Sequence, residues 1–172
     1  NYGYGLNFLW DNDGDGTFTE MGDTLGLAQD DIPFRGGNTF GGDFGDFDND
    51  GKDDIAIGCF KSRSTDFGRN LGGQVFLFWG RAQGSFPADW SLNATSADVT
   101  FNGTTGSMLG TDLAFGDVNN DGKMDLITGA RGGAGAAYVF YGNTQAAMPA
   151  TWDLSTTPAN LTLVGEDTGD QT

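Results

Sequence analysis

The chain has 172 residues, with 24 acidic and 8 basic side chains, a formal net charge of -16 and 30 glycines. So acidic a chain repels phosphate, which excludes nucleic acid and anionic membrane surfaces as partners and favours cations. Histidine is absent and there is one cysteine, so the chain can build neither a Ser-His-Asp or Cys-His site nor an internal disulfide.

The distribution of apolar residues predicts an all-β fold. Short runs rich in Phe, Val, Ile, Leu, Tyr and Trp recur between Asp/Asn/Gly clusters, and stretches with helical apolar spacing are nearly absent. Abundant glycine suits many tight turns, because glycine accepts a positive φ without steric cost. The sequence shows no signal peptide and no apolar run that would insert into a membrane, and both of its ends read as cut.

The first predicted element is a hairpin of residues 6–10 and 17–21, which we assign to a preceding repeat unit at residues 1–35. Its connection holds the cluster Asp11-Asn12-Asp13-Gly14-Asp15-Gly16, which has the Asp-Gly chemistry of a tight turn. The cluster also places oxygen side chains at the spacing of a cation loop, but Thr19 stands where a final carboxylate is expected. An ordinary turn is therefore favoured here, with calcium as the alternative.

Two longer repeats follow, which we place at residues 36–105 and 106–172. Phe44-Gly45-Asp46 begins a motif that returns 71 positions later as Phe115-Gly116-Asp117, and the apolar runs after it also return. Each copy predicts four strands, near 41–46, 54–59, 74–79 and 98–102 in the first and near 111–117, 125–130, 136–141 and 160–164 in the second. Four short strands per repeat predict β-propeller blades of four antiparallel strands. About two and a half blades form an incomplete propeller, because closure typically needs 4–8.

Each long repeat contains the pattern Asp-x-Asp/Asn-x-Asp-Gly-x-x-Asp between its first two strands. Oxygen side chains at positions 1, 3 and 5 of a tight loop converge on one point, glycine at position 6 allows the sharp turn, position 7 offers a backbone carbonyl and position 9 a carboxylate. Hard oxygen ligands in this number predict Ca²⁺ as the cofactor. An EF-hand is disfavoured, because position 12 is Ile57 or Thr128 and the flanks read as strands. The predicted ligands are Asp46, Asp48, Asp50, Lys52 and Asp54, and then Asp117, Asn119, Asp121, Lys123 and Asp125.

These residues resemble the FG-GAP repeats of integrin α-subunit propellers and their bacterial relatives. The second copy matches best, through Phe115-Gly116-Asp117, the Asp loop and the run 135–142, whereas the first copy departs at Gly58-Cys59-Phe60. The N-terminal hairpin looks like that of the related VCBS-type repeats. The resemblance implies a calcium-stabilised propeller that is usually secreted or at the cell surface, in which calcium is mostly structural and ligands usually bind to loops on the opposite face. Because histidine is absent and the best-placed carboxylates are assigned to the cation loops, we expect that the chain is not an enzyme.

Three functions remain open from the sequence. The chain is part of an adhesion module that binds a protein or glycan, or a structural subunit of a surface filament or secreted assembly, or the non-catalytic propeller of a secreted enzyme. In each case the remaining blades of the parent chain, or neighbouring subunits, are expected partners. Trp79, Tyr138, Phe140 and Tyr141 are predicted to pack between blades, and Cys59 is predicted to be a small buried residue.

Overall fold

The computed structural model describes residues 41–61, 71–82, 85 and 97–165, together with the backbone of residues 10–12 and 18–20. Strands β1 (Trp10–Asn12) and β2 (Phe18–Glu20) pair antiparallel, with Asp11 opposite Thr19. This confirms a hairpin across the N-terminal Asp cluster. Residues 6–9 and 13–17 lie outside the described ranges, and so does most of that cluster.

The two long repeats form two sheets that are mainly antiparallel, and each contains the four predicted strands. The first repeat supplies β3 (Gly42–Gly45), β4 (Asp54–Cys59), β5 (Gln74–Phe78) and β6 (Val99–Asn102). The second supplies β7 (Leu109–Gly116), β8 (Asp125–Ala130), β9 (Ala136–Phe140), β10 (Thr151–Asp153) and β11 (Leu161–Val164), with a short 3-10 turn at Gln145–Ala147. The sheet orders are β10-β6-β5-β4-β3 and β11-β9-β8-β7. The predicted fold class is confirmed: an all-β chain with two blades of an incomplete propeller.

Strand β10 is the one element of these sheets that the sequence did not predict. It belongs to the second repeat but pairs in parallel with β6 of the first, with Trp152 opposite Phe101. A three-residue strand carries too little periodicity to be read from sequence, and its partner lies about fifty residues away. The first sheet therefore has five strands, and the fifth ties the two repeats together.

The main core lies between the two sheets. Alternate residues of each strand point to opposite faces, and the face of the first sheet that meets the second sheet carries a cluster of buried apolar side chains. Its fully buried members include Ala56, Val75, Leu77 and Phe101, and Leu126 and Phe140 meet them from the second sheet. Trp79, Phe140 and the half-buried Tyr138 belong to this core, which confirms that these predicted aromatics pack between the blades.

An edge strand of the second sheet, β7, contacts the first sheet directly. Asp43 in β3 accepts a hydrogen bond from the Phe115 amide at 2.8 Å. The ring of Phe115 lies over Gly45, where a Cβ atom would meet the ring at 2.7 Å. The Arg131 guanidinium stacks on the Phe60 ring at 4.4 Å from its centroid. These contacts join the repeats in addition to the apolar core.

On the other face of the first sheet, Ile57, Cys59, Phe76 and Phe78 form a second buried cluster. Cys59 is thus the small buried residue that its sequence context predicted, and burial raises the pKa of its thiol to about 12. Within the described ranges, no helix is long and apolar enough to cross a membrane.

Candidate metal centre

The first Asp-rich loop joins β3 to β4 and is folded by its own carboxylates. Asp46 accepts the amides of Asp50 at 2.9 Å and Gly51 at 3.0 Å, and Asp48 accepts the amide of Asp50 at 2.9 Å. The turn needs two left-handed residues, Asn49 with φ 60° and Gly51 with φ 86°. Asparagine and glycine are the residues that adopt this conformation most readily. The Asn-Asp-Gly sequence therefore fits the backbone of this loop.

The loop brings three carboxylates together. One oxygen from each of Asp46, Asp48 and Asp50 lies within 4.8 Å of the others. Asp48 is only 5% exposed, and its carboxylate, which accepts the Asp50 amide, lies beside two further carboxylates. Two oxygens that bind the same Ca²⁺ at about 2.3–2.6 Å lie no more than about 5 Å apart. The donor type and the spacing therefore both fit a hard cation.

Asp54, the predicted ligand at position 9, is fully buried and is not part of this carboxylate group. Its Oδ2 accepts the amides of Phe47 at 2.9 Å and Asp48 at 3.3 Å, and its Oδ1 accepts the amide of Gly80 at 2.7 Å. Burial raises its pKa to about 6, the charge of Asp48 adds to this rise, and the hydrogen bond from Gly80 opposes it. Asp54 thus clamps the loop to the end of β5, and its role as a metal ligand stays a prediction.

The second loop, between β7 and β8, repeats most of these hydrogen bonds. Asp117 accepts the amides of Asp121 at 3.0 Å and Gly122 at 2.9 Å, and Asn119 accepts the amide of Asp121 at 2.8 Å. Asp125 is fully buried and accepts the amides of Val118 and Gly142, both at 3.0 Å. Asn119 replaces a carboxylate, so the predicted ligands of this loop carry one negative charge fewer than those of the first.

The lysine at position 7 of each loop contacts the aspartate at position 5 through its side chain. Lys52 bonds to Asp50, which lowers the pKa of that carboxyl and raises the pKa of the ammonium. Lys123 lies 3.4 Å from Asp121, and the pKa of Asp121 is lowered chiefly by the hydrogen bond from the Lys123 amide. The carboxylates are thus held ionised, which is the form that binds a metal ion. The predicted role of these lysines was a backbone carbonyl ligand, and that role stays a prediction.

The sequence did not indicate the part that Gly80 and Gly142 play in these loops. Each follows the third strand of its repeat and donates its amide to the clamping aspartate. A Cβ atom on Gly80 would meet the Asp53 carbonyl at 2.5 Å, and one on Gly142 would meet the Met124 carbonyl at 2.4 Å. The return of glycine at the same place in both repeats was the available signal.

Comparison with known proteins agrees with this geometry. A family model described as "FG-GAP repeat" matches residues 109–140, which hold β7, the second Asp loop, β8 and β9. The chain contains an FG-GAP repeat at these residues. Integrin alpha-6 of Gallus gallus is 31% identical over 131 residues, which are 72% of this chain and 10% of that protein. Integrin alpha-3 of Mus musculus is 31% identical over 104 residues, or 58% of this chain and 9% of that protein.

The chain thus spans about a tenth of the length of these integrin relatives. The family model covers the second repeat only, but the first repeat has the same strand order and the same loop hydrogen bonds. Both repeats are therefore integrin-like FG-GAP blades in structure.

Proposed function

We propose that this chain supplies two calcium-clamped blades to an extracellular β-propeller that acts as an adhesion module for a protein or glycan. In this proposal residues 36–105 and 106–172 are successive blades, and residues 1–35 hold the C-terminal hairpin of a preceding blade. Calcium is held by Asp46, Asp48, Asp50, the Lys52 carbonyl and Asp54, and by the equivalent residues of the second loop. The observation that carries the proposal is the convergence of three carboxylates, one of them buried, in a single loop.

Calcium has a structural role in this proposal. Three carboxylates so close together repel one another, and a divalent cation removes this repulsion. The loop joins β3 to β4 and is bonded to the end of β5 through Asp54 and Gly80. A bound cation would therefore stabilise the packing of all three strands. The lack of histidine and the use of the best-placed carboxylates in the loops favour binding over catalysis.

Thermal unfolding tests the calcium assignment. A ligand that binds the folded chain at 100 times its Kd adds about 2.7 kcal/mol per site, and two sites raise the Tm of a domain of this size by roughly 10–20 °C. We expect the Tm in calcium to exceed the Tm in chelator by this amount. When Asp46→Asn and Asp50→Asn remove the first site, the difference should fall to about half. Asp153→Asn, which neutralises one half-buried carboxylate at the end of β10, outside both loops, is the matched control and should keep the full rise. An equal Tm in calcium and chelator would refute the assignment.

The adhesion role is tested with the full-length polypeptide. We expect it to bind members of a printed glycan array or immobilised extracellular matrix proteins in calcium, and to lose this binding in chelator. Assembly of the purified protein into filaments or particles without such binding would instead support the structural subunit. A catalytic domain elsewhere in the polypeptide would support the third function, a propeller attached to an enzyme.

A further inference from the structure

The outer edge of the second sheet is the structural equivalent of an edge that is already closed in the first sheet. Strand β11 pairs with β9 in the same register in which β6 pairs with β5, so that Leu161, Thr162 and Leu163 occupy the places of Val99, Thr100 and Phe101. In the first sheet β6 lies between β5 and the parallel strand β10. Among the described residues, β11 pairs with β9 alone.

The two equivalent edges differ sharply in exposure. Val99 and Phe101 are 1% and 0% exposed, whereas Leu161 and Leu163 are 42% and 58% exposed. Val164, at the end of β11, is 68% exposed. An exposed apolar edge strand invites pairing with another strand, and native proteins usually protect such edges with charges or a cover. β11 has neither within the described part of the chain.

The structure shows how the first edge is closed. The Thr100 amide donates to the Ala150 carbonyl at 3.0 Å, and the Leu154 amide donates to the Asn102 carbonyl at 3.0 Å. Between these bonds, the Trp152 ring packs against Phe101, with the ring centroids 6.3 Å apart, and against Phe140 of its own repeat, with the centroids 5.4 Å apart. Strand β10 therefore donates backbone pairing to the preceding repeat, and its indole ring packs against aromatic residues of both repeats.

We propose that β11 is completed by a parallel, tryptophan-bearing strand donated by a following FG-GAP repeat. The proposal rests on the proposed function, because it takes a further blade as the partner and names the contact that this blade makes. By the register of β10 on β6, the incoming tryptophan lies opposite Leu163, the Thr162 amide donates to the incoming strand, and the Val164 carbonyl accepts from it. The partner is thus a repeat with a Trp-x-Leu segment like 152–154 and an aromatic residue equivalent to Phe140.

The occupant is a repeat joined after β11 rather than a second copy of the chain. The described strand of this kind, β10, is already paired with β6 of its own chain. It also reaches β6 because its repeat is docked on the first sheet through the main core. A following repeat docked on the exposed face of the second sheet would carry its own strand to β11 in the same way.

The test extends the full chain after Thr172 with a copy of residues 111–158. Thr172 stands 62 positions after Gly110, the same offset that separates β11 from β6, so the join keeps the spacing between the first and second repeats. A shorter extension, with a copy of 111–142, supplies the docking sheet without the strand. A third variant carries Trp152→Ala in the appended copy alone. All measurements are made in excess calcium.

Two measurements distinguish backbone pairing by the donated strand from docking of the added blade. Hydrogen exchange reports the Thr162 amide, and hydroxyl-radical labelling reports the Leu161 and Leu163 side chains. We expect both extensions to reduce side-chain labelling, but only the longer one to slow Thr162 exchange by at least about tenfold, with most of this effect lost in the Trp152→Ala copy. The Thr100 amide, already covered by β10, is the internal reference.

Covered side chains with an unchanged Thr162 amide would overturn the strand proposal and leave the docked blade standing. If neither extension reduced side-chain labelling, no further blade would dock on this face, which would overturn both the strand proposal and the docked blade of the proposed function. Protection of Thr162 in the unextended chain that grows with protein concentration would overturn the assignment to a following repeat in favour of a second copy. If the extended chain does not fold, a synthetic peptide of residues 147–158 is titrated onto the unextended chain, and no shift of the Thr162 amide at millimolar peptide overturns the proposal.

Discussion

The packing of one repeat on the other makes a quantitative prediction about equivalent residues. Phe101 is fully buried between the sheets, with its ring 4.4 Å from Phe140, whereas Leu163 holds the same place in the second repeat and is 58% exposed. Removing a buried phenylalanine ring costs about 3–5 kcal/mol, which lowers the Tm of a domain of this size by roughly 6–20 °C. Leu163→Ala removes exposed surface and is expected to cost less than about 1 kcal/mol.

Urea unfolding of Phe101→Ala and Leu163→Ala in the same calcium buffer measures both values, with circular dichroism as the probe. Near-equal losses of unfolding free energy in the two variants would refute the reasoning. If both were small, the sheets would not be packed on each other in solution. If both were large, the outer face of the second sheet would already be covered in this chain.

Three further predictions concern close contacts, burial and an ion pair elsewhere in the two sheets. Gly80→Ala and Gly142→Ala each force a Cβ atom against a backbone carbonyl. Each is expected to lower the free energy of unfolding, measured by urea titration, by about 1–3 kcal/mol. Gly116→Ala is the control, because its Cβ atom meets no neighbour, and it should leave the free energy of unfolding unchanged. Cys59, with its thiol pKa raised to about 12, is expected to stay unmodified by iodoacetamide at pH 8 in the folded chain and to react fully in urea; rapid labelling of the folded chain would contradict its burial. Arg81→Met removes the paired hydrogen bonds to Asp98 at 2.9 and 3.0 Å, and because both side chains are partly exposed the loss is expected to be at most about 1 kcal/mol and to shrink in high salt.

The sequence predicted the strands of both repeats because each one is an apolar run bounded by Gly- or Asp-rich turns. The ends of β4 and β8 agree with the prediction to the residue. The prediction missed β10, since its three residues pair with a strand in the other repeat and sequence periodicity reports only local structure. The position of Trp152 against both Phe101 and Phe140 depends on this non-local pairing.

The candidate site was predictable to a similar degree. The spacing of Asp46, Asp48 and Asp50 indicated that their side chains would converge, and the structure brings their oxygens together. The hydrogen bond from Gly80 to Asp54 was not predictable, because 26 residues separate the two and only the pairing of β4 with β5 makes them neighbours. A buried carboxylate that holds three amides and a carboxylate that binds a metal ion have the same sequence signature.

Titration calorimetry on the calcium-free chain tests the central claim, that the two Asp loops are calcium sites. We expect two Ca²⁺ per chain, one in the paired substitution Asp46→Asn and Asp50→Asn, one in the paired substitution Asp117→Asn and Asp121→Asn, and none when all four are changed. The stoichiometry would thus fall by one with each loop. No binding by the unsubstituted chain, or a stoichiometry that the loop substitutions leave unchanged, would contradict the account.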